Sequence, residues 1–471
     1  MKKILIPVFA LLLVAGVLIG TLRWNAEHRI ASMIETHLSP LPSTKGLHAE
    51  LAQRITEQNK RATEGPKRLE ALKTLGQLYH ANGYLNHAWQ TYRILIEIDE
   101  GNALWPHRLA TIVSGYGQLD DSLALYRKAI ELDPKYTPSR IHLGDTLLKL
   151  NRYDEAKVVF QTILDEEPTH PYALFGQARV CLAQDDITQA KHLLESARRA
   201  NKLIGGDLLA DIYETLGETS KARALLHDTI WSSHVDIADP WVDDIVSDCY
   251  DSFEVAMAAG IAGRAGNSAK AIRLLKRSTT LDPLDHNAHN HLAKIYFSQG
   301  DLSLAKKSYE TCTKVAPAFS EGWAGLIAIE LQSGNQAKAL GLIDQALANS
   351  PDSYVINNYK GDSLIALNRP EEAIPYFENT IRLVPENAVG YNYMARAYIQ
   401  MGENGKAFEQ LSKALKAEPS NPTALKLMTL FYISAGDRVQ AQNLINKAIA
   451  SPRISEDVIR TMQTTFKERF E

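Results

Sequence analysis

The chain has 471 residues, of which 45% are hydrophobic and 23% charged, and it contains 27 glycines and 19 prolines. This composition is typical of a folded chain and excludes a disordered or collagen-like one. Lys and Arg number 51 against 55 Asp and Glu, which gives a net charge of -4. Because no global basic field is present, we expect no nucleic-acid partner.

The N-terminal segment is predicted to anchor the chain in a membrane. Lys2 and Lys3 precede an apolar run over residues 4–22, and Arg23 follows it. These 19 residues are just long enough to span a bilayer core as a helix. Leu18 occupies a position that must be small in a signal-peptide cleavage site. We therefore predict a transmembrane signal-anchor over residues 1–23.

The charge pattern around this run also predicts an orientation. Basic residues favour the cytoplasmic side, so the end that carries Lys2 and Lys3 is expected inside. The chain would then be a single-pass protein of the cell inner membrane, with its remaining residues in the periplasm. Secretion after signal-peptide cleavage is the alternative.

Residues 24–68 are predicted to separate the anchor from the rest of the fold. The breaker Pro42-Ser43 is followed by Leu47, Leu51 and Ile55, which are spaced four apart. This spacing predicts a helix with one apolar face. Residues 24–46 are interpreted as a spacer, followed by a helix that shields the first repeat.

A 34-residue period dominates the chain from Leu69 onward. The repeats begin at Leu69, Ala103, Thr137, Pro171, Leu203, Ser252, His286, Ser320, Tyr354, Ala388 and Pro422. The five gaps from Ser252 to Pro422 are all 34 residues. Such a period is typical of a stack of helical hairpins.

Fixed positions within the repeat explain how two helices would pack. Position 8 holds a small residue, such as Gly76, Gly144 or Gly361, and position 20 holds Ala in ten of the eleven repeats. Large apolar residues at position 24, such as Phe160, fill the space beside them. Proline at position 32, as in Pro168, ends the second helix because it lacks an amide donor.

This pattern resembles the tetratricopeptide repeat family from Leu69 to about Pro452. The resemblance implies an all-α fold, a right-handed α-solenoid of about eleven helix-turn-helix repeats. It also implies that first helices line a concave groove that binds peptide segments. We predict block one (repeats 1–5) at residues 69–231, block two (repeats 6–11) at 252–453, and a capping helix at 454–471.

Between the two blocks the period fails. Residues 232–251 form an insertion that is rich in aspartate. Asp239-Pro240-Trp241 predicts a helix start, with Asp as the cap and Pro at the first helical position. The insertion is interpreted as a solvated acidic helix at a joint, and a partner-docking element is the alternative.

Motifs for catalysis or metal binding do not stand in a supporting context. His286 and His289 lie three apart, but a third metal ligand is not identifiable. The serine-esterase motif Gly361-Asp362-Ser363-Leu364 falls inside a predicted first helix, where its Gly and Leu are explained by the repeat. Cys181, Cys249 and Cys312 have no metal or haem spacing. We predict no enzyme activity, no metal and no cofactor.

The resemblance indicates which side chains would face a groove. Asn290, Asn358 and Asn392 all fall at position 5, and position 9 of the same repeats holds Lys294, Asp362 and Arg396. An amide can clasp a peptide backbone with its donor and its acceptor. These six residues are the predicted peptide-binding site, and the alternative is that Asn is merely tolerated there.

Taken as a whole, the sequence predicts a membrane-tethered scaffold that holds a protein or peptide partner in its groove. The alternative is an accessory subunit of an envelope enzyme or assembly complex that presents substrate to a partner enzyme. The sequence does not identify the partner.

Overall fold

The computed structural model describes residue 21 and residues 24–228, 237–451 and 454–471, and these contain helices and turns but no β-strand. Before the repeats lie α1 (residues 24–37) and α2 (Ala49–Glu64). The predicted all-α fold is confirmed for the described residues. Apart from residue 21, the anchor predicted over residues 1–23 lies outside them.

Within the described part of the chain, eleven hairpins follow α2, and their first helices begin at or close to the predicted repeat starts. The first five are α3 (Arg68–Ala81) with α4 (Leu85–Ile98), α5 (Leu104–Gly115) with α6 (Leu119–Leu132), α7 (Thr137–Lys149) with α8 (Tyr153–Glu166), α9 (Pro171–Ala183) with α10 (Ile187–Ala200), and α11 (Gly206–Thr215) with α12 (Thr219–Asp228). The insertion contributes α13 (Pro240–Asp243) and a short 3-10 helix (Ile245–Asp248).

The later six hairpins keep the same form. They are α14 (Ser252–Arg264) with α15 (Ser268–Leu281), α16 (His286–Ser298) with α17 (Leu302–Val315), α18 (Ser320–Gln332) with α19 (Gln336–Asn349), α20 (Tyr354–Ala366) with α21 (Pro370–Leu383), α22 (Ala388–Gln400) with α23 (Asn404–Ala417), and α24 (Pro422–Ser434) with α25 (Arg438–Ala450). The chain ends in α26 (Glu456–Phe470).

The third and fourth hairpins stack through a large ring at position 24 that packs between two small residues. Phe160 is fully buried, and a methyl group added at Gly144 of its own hairpin would lie 2.5 Å from the ring. A methyl group added at Gly176, position 6 of the next hairpin, would lie 2.4 Å from it. The ring therefore joins two consecutive hairpins, and neither site has room for a β-carbon.

Both ends of the array carry additional helices. Ile34 of α1 and Leu51 and Ile55 of α2 are buried in the same core cluster as the first hairpin. At the other end, Ile459 and Met462 of α26 are buried against the last hairpin. The segment predicted as a spacer thus contains a packed helix, because Ile34 is buried in the core cluster that also includes the first hairpin.

The chain divides into two compact units. Unit 1 comprises Met1–Asn201 and Asp236–Val255, and unit 2 comprises Lys202–Val235 and Ala256–Glu471. The described part of the insertion thus groups with the first four hairpins, and the fifth hairpin groups with most of the later six. The joint at residues 232–251 and the bounds of the two blocks stay predictions. In unit 2 the buried Arg223 of α12 donates to the main-chain oxygen of Ser451 (3.2 Å) and to Glu456 of α26 (2.8 Å). Through these bonds the fifth hairpin contacts Ser451 and the last helix, α26.

Among the helices that the structure describes, none is both long and apolar enough to cross a membrane.

The packing of the position-24 ring generates a stability prediction. Gly144→Ala is expected to lower the free energy of unfolding by roughly 1–3 kcal/mol, because the new methyl group overpacks Phe160. Gly341→Ala is the matched control, because a methyl group added at this glycine of α19 would meet no neighbouring side chain within 4 Å. The control should raise stability by about 0.4–1 kcal/mol through lower chain entropy. Urea denaturation of both variants measures the difference, and equal effects would contradict the packing.

Candidate peptide-binding site

The insertion binds across the first helices of unit 1 through a buried aspartate. Asp239 is 4% exposed, and its Oδ2 accepts hydrogen bonds from Nε2 of His107 (2.7 Å) and Nε2 of His142 (3.0 Å). Its Oδ1 accepts one from the Tyr136 hydroxyl (2.5 Å). His107 belongs to α5 and His142 to α7, so one carboxylate joins two consecutive hairpins.

These hydrogen bonds determine the charge state of the cluster. Burial alone would raise the pKa of Asp239, but the hydrogen bonds from His107, His142 and Tyr136 outweigh it and hold that pKa well below its ordinary value. Burial lowers the pKa of His107 more than the nearby carboxylate raises it. A neutral His107 that donates from Nε2 accepts the Ser139 hydroxyl at Nδ1, 2.8 Å away. The aspartate is therefore ionised, and its buried histidine partner needs no positive charge.

Trp241 is held by a ring stack and by its main chain. Its ring lies parallel to that of Tyr136, with centroids 3.4 Å apart and an interplanar angle of 8°. The Tyr136 oxygen accepts a hydrogen bond from the Trp241 amide (3.0 Å). Arg108 of α5 donates from Nε to the Trp241 carbonyl (2.8 Å). Stacking and main-chain bonds together fix this part of the insertion on α5.

A second aspartate is bound closer to the N-terminus of unit 1. Asp248 pairs with Arg54 of α2 (2.8 Å) and accepts a hydrogen bond from Nε2 of Gln77 of α3 (2.8 Å). The Gln77 amide oxygen in turn accepts from Arg108 (3.1 Å). Gln77 therefore connects the contacts of Trp241 with those of Asp248.

Asn82 clasps the main chain at the end of the insertion. Its Nδ2 donates to the carbonyl of Asp248 (2.9 Å), and its Oδ1 accepts from the amide of Tyr250 (2.8 Å). The Tyr250 hydroxyl donates to Glu50 of α2 (2.8 Å) and accepts from Arg54 (3.1 Å). This is the paired amide contact that we predicted for the asparagines of block two.

Residues 239–250, the internal segment, thus behave as a peptide bound to the array. Their contacts run from α7 through α5 and α3 to α2, opposite to the order of the helices along the chain. We name the residues of α2, α3, α5, α7 and their adjoining turns that bind it the segment site. The helix start at Asp239 is confirmed, since its side chain caps α13. The interpretation as a solvated helix is wrong at Asp239, because its histidine partners bury it.

The cluster also offers ligand atoms that metals accept. One atom each from His107, His142 and Asp239 lies within 4.8 Å of the others, and two histidines with a carboxylate suit zinc. However, the 2.7 and 3.0 Å separations are hydrogen-bond lengths. Ligands bound tetrahedrally at about 2.0–2.1 Å would stand roughly 3.3 Å apart. We interpret the cluster as hydrogen bonded, and the absence of a metal stays a prediction.

The six predicted site residues lie in unit 2 and divide into two groups. The asparagines at position 5 are buried: Asn290 is 3%, Asn358 7% and Asn392 8% exposed. Asn358 accepts a hydrogen bond from Thr380 of its own hairpin (2.9 Å), and Asn392 donates to Asn421 (2.9 Å). Through these hydrogen bonds the amides of Asn358 and Asn392 take part in the packing of the helices. Their role in peptide binding stays a prediction.

The residues at position 9 are accessible instead. Lys294 is exposed, and Arg396 pairs with Asp362 of the preceding first helix at 2.9 Å. Unit 1 repeats this pairing between Asp145 and Arg179, also at position 9 (2.6 Å). Asp362 therefore has a structural partner, and the neighbouring Gly361 faces Phe377. Two of the four residues of the esterase-like motif are thus explained by an ion pair and by helix packing.

Sequence reasoning missed the segment site. His107 stands at position 5 of its repeat, but Asn82 lies in the turn between α3 and α4 and Tyr136 belongs to no motif. The available signal was the acidic insertion beside a block whose first helices carry Arg108, His107 and His142. Charge complementarity between these two segments was the clue.

The burial of Asn358 generates a prediction about the block-two asparagines. Asn358→Ala should lower the free energy of unfolding by about 1–3 kcal/mol, because Thr380 loses a buried acceptor. Arg396→Ala, the control at the exposed position 9, should cost less than about 1 kcal/mol. Thermal denaturation followed by circular dichroism compares them. An Asn358→Ala variant as stable as the parent would show that the amide is not part of the packing.

Known proteins are similar to this chain over part of its length. The chain is 24% identical over 242 residues to DnaJ homolog subfamily C member 3 of Bos taurus, covering 51% of this chain and 42% of that protein. It is 22% identical over 278 residues to TPR repeat-containing protein YpiA of Bacillus subtilis (strain 168), covering 58% of this chain and 62% of that one. The chain therefore spans less than two thirds of either relative.

Among solved structures, yeast Tom70 aligns with 86% of this chain and 97% of its own at 15% identity, with a TM-score of 0.41. Family models give a clearer result. One tetratricopeptide repeat model matches residues 115–174 and 153–203, and a second matches residues 257–305, 292–354 and 360–422. These matches fall in both predicted blocks and follow their hairpins. The chain belongs to the tetratricopeptide repeat family.

Proposed function

We propose that the chain is a scaffold that binds extended segments of other proteins on the first helices of its repeats. The observation that carries this proposal is the internal segment on unit 1. Side chains of α2, α3 and α5 bind its carboxylates and its main chain. A surface that holds one extended segment in this way has the donors and acceptors to hold another.

The proposal includes no catalytic step. The buried polar cluster around Asp239 is engaged in hydrogen bonds between the segment and the hairpins. Its side chains therefore serve recognition and packing in this proposal. Binding energy would come from contacts of the same kind with a partner.

First-helix positions should contact the partner more than second-helix positions do. A photocrosslinking amino acid at Lys294 or Arg396, both exposed on first helices, is expected to capture a discrete partner protein in intact cells. Lys307 of α17 and Lys413 of α23 are exposed on second helices and are the matched controls. Mass spectrometry identifies the crosslinked products. Equal capture from both sets of positions would contradict binding on first helices.

We also propose that residues 4–22 tether the scaffold to the cell inner membrane, with the repeats in the periplasm. The apolar run and the preceding lysines support this arrangement. The tether would restrict partners to those that reach the membrane surface.

Removal of residues 1–23 tests the tether. The full chain is expected in the membrane pellet after carbonate extraction, because the apolar run is buried in lipid. A chain that starts at residue 24 behind a cleavable export signal should appear in the soluble periplasmic fraction. A full chain that carbonate releases would contradict the anchor.

A further inference from the structure

The internal segment is held by contacts that a separate peptide could reproduce. They include two bound carboxylates, one stacked ring, and main-chain bonds from Arg108 and Asn82. The Tyr250 hydroxyl adds two hydrogen bonds to α2, and the side chain of Ile245 is buried. These hydrogen bonds all use side chains that project from helices or turns of the array. None requires the covalent connection between the segment and the hairpins.

The charges of the two surfaces are complementary. Asp248 of the segment pairs with Arg54 of the array, and Asp239 accepts a hydrogen bond from His142. Arg108 lies between these contacts and donates to the Trp241 carbonyl. Arg54 and Asp248 retain 31% and 18% of their side-chain exposure, so this pair forms at an accessible edge. A partner of opposite charge to the segment would be repelled at the same place.

The segment has little structure of its own to hold it in place. Its two helices, Pro240–Asp243 and Ile245–Asp248, have four residues each. Helices this short are unstable in isolation. The bound conformation therefore depends on the segment site, and a competitor needs to replace only those contacts.

We propose that residues 239–250 are an internal ligand that occupies the segment site until a partner protein replaces it. The partner carries an acidic segment of the same chemistry: an aspartate, an aromatic ring two residues later, and a second aspartate nine residues after the first, as in Asp239, Trp241 and Asp248. This proposal rests on the proposed scaffold function and adds the class of partner and its regulation.

Tethering gives the internal segment a kinetic and thermodynamic advantage. A linked segment acts at an effective concentration in the millimolar range, so a free peptide must compete against it. Substitutions that weaken the segment, while leaving the segment site intact, remove this competition. Peptide binding should therefore appear or strengthen when the segment is weakened.

The test uses a fluorescent synthetic peptide with the sequence of residues 237–251, in which Cys249 is replaced by Ser. Its affinity is measured by fluorescence anisotropy for the full chain and for a released variant, Trp241→Ala/Asp248→Ala. The released variant should bind the peptide at least tenfold more tightly than the parent. When Arg54→Ala and Arg108→Ala are added to the released variant, its affinity for the peptide should fall at least tenfold. A peptide that carries Asp239→Ala and Trp241→Ala is the matched control and should bind neither protein.

Equal peptide affinity of the parent and the released variant would overturn the proposal. So would binding that survives the loss of both arginines. A released variant that dimerises and excludes the peptide would assign the site to a second copy of this chain and would also overturn it. Each of these results leaves the crosslinking test of the scaffold function unaffected, so failure of one proposal is distinguishable from failure of the other.

If circular dichroism shows that the released variant does not fold, hydrogen exchange of the parent chain tests the proposal instead. Hydrogen exchange of the amides of residues 241–250 is followed with and without excess unlabelled peptide. Competition predicts faster exchange of these amides when the peptide is present. Exchange that stays unchanged at peptide concentrations up to several millimolar would overturn the proposal.

Discussion

The array depends on large apolar side chains at position 24 of the repeat, which are buried against neighbouring hairpins. Phe160 lies between Gly144 and Gly176, whereas Phe377 lies against Gly361 of its own hairpin and stacks on Tyr393 of the next one. A single hairpin cannot bury such a ring, so each repeat is stable only beside its neighbours. This constraint fixes the spacing of the first helices. The segment site depends on that spacing, because Asp239 bridges α5 and α7.

The buried Asp239 allows the packed hairpins to recognise the internal segment. An ionised carboxylate inside a protein needs several donors, and Asp239 receives them from three side chains of two consecutive hairpins and the turn between them. The arrangement distinguishes an acidic segment from a neutral one, since a neutral residue would leave His107 without its partner. Arg54 and Gln77 repeat this selection at Asp248. Two carboxylates at a fixed separation therefore set the register of the bound segment.

The hairpins could be predicted from the sequence because their determinants recur every 34 residues. Gly144, Ala156 and Phe160 belong to one repeat, and their roles in packing can be recognised from their positions within it. The segment site could not be predicted in this way, since its partners are far apart: His107 and Asp239 are separated by 132 residues, and Arg54 and Asp248 by 194. Asn358 illustrates a second limit, because asparagine at position 5 suits both a peptide contact and the buried bond to Thr380. Only the packing of the neighbouring helix distinguishes these roles.

The binding of residues 239–250 by the segment site is tested most directly by a double-mutant cycle between Arg54→Ala and Asp248→Ala, with the free energy of unfolding measured in urea. Residues in contact usually show a coupling energy of about 0.5–3 kcal/mol, whereas distant residues have additive effects. We expect a coupling above about 0.5 kcal/mol for this pair. Strictly additive effects of the two substitutions would contradict it.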